Sequence, residues 1–228
     1  MSEALFEFGG LRFWNDEELR MRDAFQSMIV GKLTNTLYDM NSAWRVYRME
    51  GPCLTPLVQI SDAYTDDDIF VTNHIAGTSA LCLRAETTAS TYAAIRKIGG
   101  KMPICMWQVG KSFRRELSDG ATASKLRFLE FTQLEFQCVY SQSTKADYRE
   151  RLISALESEI ARFTELETRI VASDRLPPYA DSTVDIEVLT AGNKWREIAS
   201  CSIRNDFSDQ TKVAEIAIGL DRVVELSL

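Results

Sequence analysis

The chain has 228 residues and is 45% hydrophobic, which is enough apolar material to bury a sizeable core in one large domain. Its formal net charge of −7 argues against a surface that coats nucleic acid non-specifically, although a local basic site remains possible. Five scattered cysteines and one histidine, His74, argue against a disulfide framework and against a zinc site. No stretch approaches a membrane span and no apolar run follows a basic N-terminal segment, so we expect a soluble, cytoplasmic protein.

The first predicted elements are a long helix and a short strand. Residues 15–40 form an amphipathic pattern in which Asn15 and Glu18 make a capping box. Residues 44–48 are strand-like and run into Gly51-Pro52, a pair that also marks the end of many unrelated strands. Apolar residues recur at helical spacing along the helix: Met21, Phe25, Met28, Ile29, Leu33 and Leu37.

A second helix follows an acidic stretch. Residues 62–68 are rich in aspartate and predict a solvated turn. The segment Leu-Cys-Leu-Arg-Ala-Glu-Thr-Thr at 81–88 then leads into a helix from about residue 89 to residue 98. In this segment, Arg84 and Glu86 could form a local salt bridge at the helix start or face a ligand.

Residues 108–137 contain two strand-like runs joined by a charged loop. The first run ends in Phe113-Arg114-Arg115-Glu116, and the second alternates polar and apolar residues with a period of two. Arginine offers forked donors to phosphate, a phenyl face stacks on a flat ring, and carboxylates hold an ammonium group. The pattern therefore suits a ligand with those three features, while the simpler alternative is a hairpin whose charges face water. The face that would carry the ligand groups holds Arg127, Leu129, Phe131, Gln133 and Glu135.

The remainder alternates between helix and strand. Residues 144–171 predict a second long amphipathic helix, and residues 174–182, with Pro177-Pro178, predict a loop. Strands are expected at 185–189 and at 195–202, the second ending in a polar turn. A last strand from residue 213 breaks at Gly219 and passes into a helix whose first turn exposes Arg222.

Several of these segments, in this order, resemble the motifs of the class II aminoacyl-tRNA synthetases, and most closely those of glycyl-tRNA synthetase. The first helix with Pro52 resembles motif 1, and the stretch from Phe113 resembles motif 2 (Phe-Arg-Asn-Glu, a loop, then Arg-Val-Arg-Glu-Phe-Thr-x-x-Glu). Residues 83–87 resemble the family's Leu-Arg-Pro-Glu-Thr segment, with alanine in place of proline. Residues 197–207 resemble the Glu-Ile-x-Ser-Cys-Ser…Asp-Phe segment of the seryl branch and, more loosely, its glycyl equivalent, and Gly219-Leu220-Asp221-Arg222 resembles motif 3.

The resemblance implies an α+β fold, with a mainly antiparallel sheet of six or seven strands flanked by helices. It implies one catalytic domain over residues 1–228, in which residues 143–182 are a helical insertion between motifs 2 and 3. It also implies a homodimer formed through the first helix and the Pro52 segment. Nothing after motif 3 in these 228 residues resembles an anticodon-binding domain, so we expect anticodon-based selection to reside elsewhere.

The activity that the resemblance implies is the activation of an amino acid by ATP and Mg²⁺, with release of pyrophosphate and transfer to tRNA or another acceptor. Arg114 and Arg222 would be the catalytic residues. ATP would bind Arg114, Glu116, Arg127, Phe131, Glu197, Ser200 and Arg222. Mg²⁺ would bind Glu197 and Ser200, and no zinc is expected. The amino acid would bind Arg84, Glu86, Gln133, Glu135 and Glu215.

Three departures from the glycyl pattern bear on the substrate. Leu129 stands where an arginine is usual, Ala217 where a serine crowds the glycine pocket, and Ile216 where a proline is usual. Glycine or another small amino acid is favoured, and the acceptor stays open between tRNA, a protein and another molecule. Two alternatives are a catalytically silent paralogue that serves as an accessory subunit, and an unrelated α/β protein with chance matches.

Overall fold

The computed structural model of the chain describes residues 6–60, 64–65, 67–72, 80–99, 101–117, 120–174, 176 and 178–228. His74, Pro177 and part of the acidic stretch at 62–68 lie outside the described residues. The elements before the central hairpin are β1 Phe6–Phe8, β2 Leu11–Phe13, α1 Asp16–Met40, β3 Arg45–Met49, β4 Leu54–Pro56, β5 Leu81–Leu83 and α2 Thr88–Ile98. The remaining elements are β6 Ile104–Phe113, β7 Glu130–Ser141, α3 Tyr148–Thr164, β8 Thr168–Ala172, β9 Ala180–Thr190, β10 Lys194–Arg204, β11 Thr211–Gly219 and α4 Leu220–Leu226.

A seven-stranded sheet in the order β3-β6-β7-β11-β10-β9-β8 organises the described residues. Each neighbouring pair is antiparallel except β3 and β6, which are parallel. The hairpin β6–β7, which carries the motif 2 resemblance, lies near the middle of this order. The expected α+β fold with a mainly antiparallel sheet is therefore confirmed, with seven strands.

One face of the sheet packs against α1, α3 and α4. Phe25, Ile29, Leu33 and Leu37 of α1 are fully buried in this core, as their spacing predicts. Each buried side chain of this size contributes about 1.5–3 kcal/mol, so burial rather than helix propensity anchors α1. The predicted capping box is also present, because the Glu18 amide donates to the Asn15 side chain at 2.9 Å and the reverse bond is 2.7 Å. No helix within the described residues is both long and apolar enough to cross a membrane.

The opposite face of the sheet is covered in part by α2. Tyr92 and Ile95 of α2 pack against Ile104 and Met106 of β6. Beyond this small cluster, the same face carries polar side chains and stays open. The difference between the faces follows from the period of two along each strand, which sends alternate residues to opposite sides.

The prediction of one helix over residues 144–171 is wrong at its C-terminal end. Helix α3 ends at Thr164, where Glu165 takes a left-handed conformation with φ of 57°, and residues 168–172 form strand β8. β8 pairs with β9, which begins at Ala180 within the predicted loop. The apolar stripe of the sequence continues past residue 164, but the β-branched Ile170 and Val171 complete an edge strand instead. The expected helical insertion thus contains a strand of the main sheet, and α3 belongs to the main core.

Candidate active site

A cavity of about 1010 Å³ lies on the polar face of the sheet. Two rows of cross-strand neighbours form this face beneath it. One row is Glu135, Ala217, Ser200 and Asp185, from β7, β11, β10 and β9. The parallel row is Gln137, Glu215, Ser202 and Thr183. All of the predicted site residues except Arg84 and Glu135 line the cavity.

Arg114 and Phe131 lie together at one end of the cavity. The Arg114 guanidinium carbon is 5.4 Å from the centroid of the Phe131 ring and 5.6 Å from that of Tyr64. Arg114 Nε also donates to the carbonyl of Ala85 at 3.3 Å. Rings on two sides and a backbone carbonyl therefore hold this cation at the cavity.

Arg222 reaches the cavity from α4, immediately after the last strand. Its Nε donates to the carbonyl of Leu126 at 2.9 Å, and Nη1 donates to the carbonyl of Glu197 at 3.0 Å. The side chain thereby joins the loop between β6 and β7 to strand β10. Arg222, Arg114 and Arg127, with Phe131, form what we call the cationic end of the cavity.

Glu116 and Arg127 join the two arms of the motif 2 hairpin. Arg127 Nη1 lies 2.9 Å from a carboxylate oxygen of Glu116, and both side chains line the cavity. Glu116 takes a left-handed backbone conformation with φ of 48°. This ion pair leaves each group within reach of a ligand in the cavity, because both side chains stay partly exposed.

Three carboxylates, Glu86, Glu135 and Glu215, form what we call the acidic end of the cavity; Glu86 and Glu215 line it, and Glu135 is buried beside them. Thr88 Oγ1 lies 2.8 Å from Glu135 and 3.2 Å from Glu215, so one hydroxyl lies between two carboxylates. Gln137 donates to Glu215 at 2.6 Å and also to Glu135. A group with several N–H donors could bind to this cluster of acceptors.

The electrostatics of the acidic end favour proton uptake in the absence of a cation. Burial, followed by the charges of Glu215 and Glu86, raises the pKa of Glu135 to about 8. Burial and then Glu215 also raise the pKa of Glu86, against the opposing effects of Arg204, Tyr64 and Arg114. A ligand ammonium group would relieve this repulsion and restore the charged carboxylates.

Arg204 is a site residue that the sequence reasoning missed. Its guanidinium lies 2.6 Å from Glu215 and 2.7 Å from Asp206, and its carbon atom is 3.7 Å from the ring centroid of Tyr179. The side chain is 4% exposed and balances part of the acidic end. Strand periodicity could have found it, since Arg204 follows Ser200 and Ser202 at a spacing of two.

Gln133 lies between the two ends, on β7. Its Oε1 accepts a hydrogen bond from Ser112 Oγ of β6 at 2.8 Å. This contact fixes the orientation of the side-chain amide of Gln133. The side chain lines the cavity although the residue is 6% exposed.

The structure does not bring Arg84 to the cavity. Its guanidinium donates to the carbonyls of Lys111 at 2.7 Å, Gly51 at 2.9 Å and Pro52 at 3.1 Å. The residue is 3% exposed and lies so close to Gly110 that a Cβ atom there would overlap it. The expectation that Arg84 binds the amino acid is therefore corrected, because Arg84 does not line the cavity and its donors satisfy buried backbone acceptors.

A β-bulge brings Glu197 and Ser200 to the same face of β10. Residues three apart on a regular strand point to opposite faces, but the pairing with β9 shifts between Glu197 and Ala199. Both side chains consequently line the cavity, where they offer oxygen atoms of the kind that Mg²⁺ prefers. Asp185 and Glu187 of β9 pair with Ser200 and Glu197 and also line the cavity, and the sequence reasoning missed both.

Asp185 faces a crowded acidic environment. Burial raises the pKa of Asp185 to about 6, and the charge of Glu197 adds to this effect while a hydrogen bond from Ser173 opposes it. A cation bound between these strands would lower that pKa again.

Comparison with known proteins identifies the family that the chain resembles. The family description of the tRNA synthetase class II core domain (G, H, P, S and T) matches residues 71–217. The glycine–tRNA ligase of Clostridium tetani is 33% identical over 138 residues, which cover 57% of this chain and 29% of that protein. The glycine–tRNA ligase of Mycolicibacterium paratuberculosis is 32% identical over 120 residues, covering 49% of this chain and 25% of that protein.

Solved structures share the fold over nearly the whole chain. Prolyl-tRNA synthetase from Cryptosporidium parvum, complexed with halofuginone and AMPPNP, superposes with a TM-score of 0.80 at 12% identity. That comparison covers 97% of this chain and 48% of the other. Cytoplasmic serine–tRNA ligase from Naegleria fowleri, in complex with AMP, gives 0.73 at 16% identity, with 96% and 50% covered. The chain thus spans about half the length of these structures and less than a third of the two ligases.

The family match extends over more than half of the chain, and the solved structures share its fold. This chain therefore belongs to the class II aminoacyl-tRNA synthetase core-domain family.

Proposed function

We propose that this chain activates an amino acid with ATP, forming an aminoacyl-adenylate and releasing pyrophosphate. The observation that carries the proposal is the division of one cavity into two ends: a cationic end with an aromatic ring, and an acidic end where Glu86 and Glu215 line the cavity and Glu135 is buried beside them. ATP supplies phosphates and a flat base, and an amino acid supplies an ammonium group. The two ends match these substrates in charge and in shape.

Positioning and charge neutralisation would be enough for this reaction. The carboxylate of the amino acid attacks the α-phosphate in line, and pyrophosphate leaves from the opposite side. Arg114 would neutralise the charge that develops on the α-phosphate, while Arg127 would bind the distal phosphates. Phe131 and Arg222 would hold the adenine between them, and Glu116 would accept a hydrogen bond from its amino group.

Glu197 and Ser200 would hold Mg²⁺ together with oxygen atoms of the ATP phosphates. Their common orientation across the bulge supports this assignment, and Asp185 and Glu187 lie on the neighbouring strand. An ion held by these residues would supply positive charge at the phosphates of ATP.

The ammonium group of the substrate would bind among Glu86, Glu135 and Glu215, with Gln133 beside them. Ala217 is the cross-strand neighbour of Glu135, and Ser200 is that of Ala217, so the side chains next to Glu135 in this row are small. Glycine or another small amino acid is accordingly the substrate class that we propose.

The proposal also covers the acceptor of the activated amino acid and the oligomeric state of the protein. We propose tRNA or another nucleophilic molecule as the acceptor, and a cytoplasmic homodimer as the working state. The dimer would use α1 and the segment around Pro52, where Leu54 and Val58 expose 46% and 76% of their surface.

The test is amino-acid-dependent ATP–pyrophosphate exchange with each of the twenty amino acids, with Mg²⁺ and without tRNA. We expect one small amino acid to support exchange, and the Arg114→Ala variant to show none. Silence of the wild-type protein across the panel, with and without added tRNA, would contradict the proposal and favour the accessory-subunit alternative.

A further inference from the structure

Tyr64 stands between the two ends of the cavity, in a segment that the sequence indicated only as part of an acidic turn. Its hydroxyl donates to Glu86 Oε2 at 2.8 Å and accepts a hydrogen bond from Arg114 Nη2 at 3.3 Å. The same side chain therefore contacts the residue proposed to neutralise the α-phosphate and a residue proposed to bind the ammonium group.

The position of Tyr64 is fixed by its own packing. Its side chain packs against a small buried cluster that includes Ile60, Ile69 and Ala85. Its amide donates to the carbonyl of Ile60 at 3.1 Å. The hydroxyl is thus held in place by a ring that is anchored independently of Arg114 and Glu86.

The hydroxyl stays protonated at neutral pH. Burial raises the pKa of Tyr64 well above its usual value, and Glu86 adds to this effect while Arg114 opposes it. The group can therefore donate to a carboxylate and accept from a guanidinium at the same time.

Arg114 and the ionised form of Glu86 attract each other, since each shifts the pKa of the other toward its charged state. Among the described residues, however, no ion pair joins them directly, and each instead contacts the Tyr64 hydroxyl. A direct ion pair would compete with substrate binding, because buried opposite charges at contact distance attract each other strongly.

We propose that Tyr64 is a positioning residue that keeps Arg114 and Glu86 apart, so that one remains available to the nucleotide and the other to the amino acid. This inference rests on the proposed function, since it assigns the two groups to the two substrates. Without the hydroxyl, Arg114 and Glu86 would pair directly, and both substrates would then have to break that pair in order to bind.

The test compares Tyr64→Phe, which keeps the ring, with the wild-type protein and with Tyr38→Phe, a matched control at an exposed position on α1. We expect Tyr64→Phe to weaken the binding of two ligands by about tenfold each: AMPPNP, and the free amino acid that supports exchange in the wild type. This is the scale of one hydrogen bond to a charged group. Tyr38→Phe should bind both as the wild type does. Adding Glu86→Gln to Tyr64→Phe should restore AMPPNP binding, because the competing carboxylate is then neutral.

A purely structural role for Tyr64 would lower the melting temperature without this restoration, and that result would overturn the inference. Unchanged affinities in Tyr64→Phe would overturn it as well.

If the wild-type protein supports no exchange with any amino acid, the proposed function fails. Crystal structures of the unliganded wild type and of Tyr64→Phe then test the inference by itself. Arg114 and Glu86 should form a direct ion pair in Tyr64→Phe but not in the wild type, and an unchanged separation would contradict the inference.

Discussion

At the acidic end of the cavity, Glu135 and Glu215 are 1% and 7% exposed and are bonded to Thr88, Gln137 and Arg204. At the cationic end, the side chains of Arg127 and Arg222 remain 31% and 28% exposed. The acidic end is thus built into the sheet, whereas the cationic end is formed by a loop and a helix start laid over it. We infer that substitutions at the acidic end alter stability as well as binding, while those at the cationic end alter mainly the chemistry.

The largest effect is expected at the cationic end. Arg114→Ala and Arg222→Ala should each lower pyrophosphate exchange by a factor of about 10² to 10³ or more, since each removes a preorganised charge from the reacting phosphate or the base. The melting temperature should change little, because both side chains are partly exposed. Near-normal exchange in either variant would remove that arginine from the site.

Arg84 offers the sharpest contrast with Arg114, because both belong to the predicted site and only one faces the cavity. Arg84→Met should lower the free energy of unfolding by about 2–4 kcal/mol, since three buried carbonyls lose their donor. Chemical denaturation would measure this loss, and Gly110→Ala should reproduce part of it by displacing the guanidinium. A selective rise in the amino-acid KM at unchanged stability would instead return Arg84 to the substrate site.

A smaller and selective effect is expected at Glu86. Glu86→Gln should weaken amino-acid binding by about tenfold while changing ATP binding much less, because it removes one charge from the ammonium site only. Isothermal titration calorimetry with each ligand separately would give the affinities for the amino acid and for ATP in the variant and in the wild type. Equal losses for both ligands would argue against a specific role in holding the ammonium group.

The smallest effect is a change in pH dependence caused by Glu135. Its pKa is about 8 in the folded protein and near 4.5 ordinarily, so the folded protein holds a proton that the unfolded chain releases between these values. The contribution of Glu135 to stability is therefore fully present below about pH 4.5 and is lost as the pH rises through about 8. The melting temperature of the unliganded protein should fall over this range, and should fall less in Glu135→Gln. Equal slopes in the two proteins would show that Glu135 does not titrate there.

Local patterns in the sequence were sufficient to predict much of the fold. The capping box at Asn15, the helical spacing of Phe25 and Leu33, and the alternation along residues 130–136 each depend on neighbours within one element. The resemblance of the ordered segments to a known family was enough to predict the mainly antiparallel sheet, and most of the site residues that it implied line the cavity. The cap and the two spacings follow from periodicity and from local hydrogen bonds, which a single sequence contains, whereas the sheet and the site residues were implied by the family resemblance.

Only the tertiary structure decided which charged residues share the cavity. Arg84 turns away because three distant carbonyls need its donors, and Arg204 turns inward because Glu215 and Tyr179 lie across the strands from it. Residues 168–172 form a strand rather than a helix because the edge of β9 is available to them. The partners in each case lie on other elements, so no pattern within one element could have indicated these contacts. The bulge that aligns Glu197 with Ser200 likewise depends on the pairing of β10 with β9, which exists only in the folded sheet.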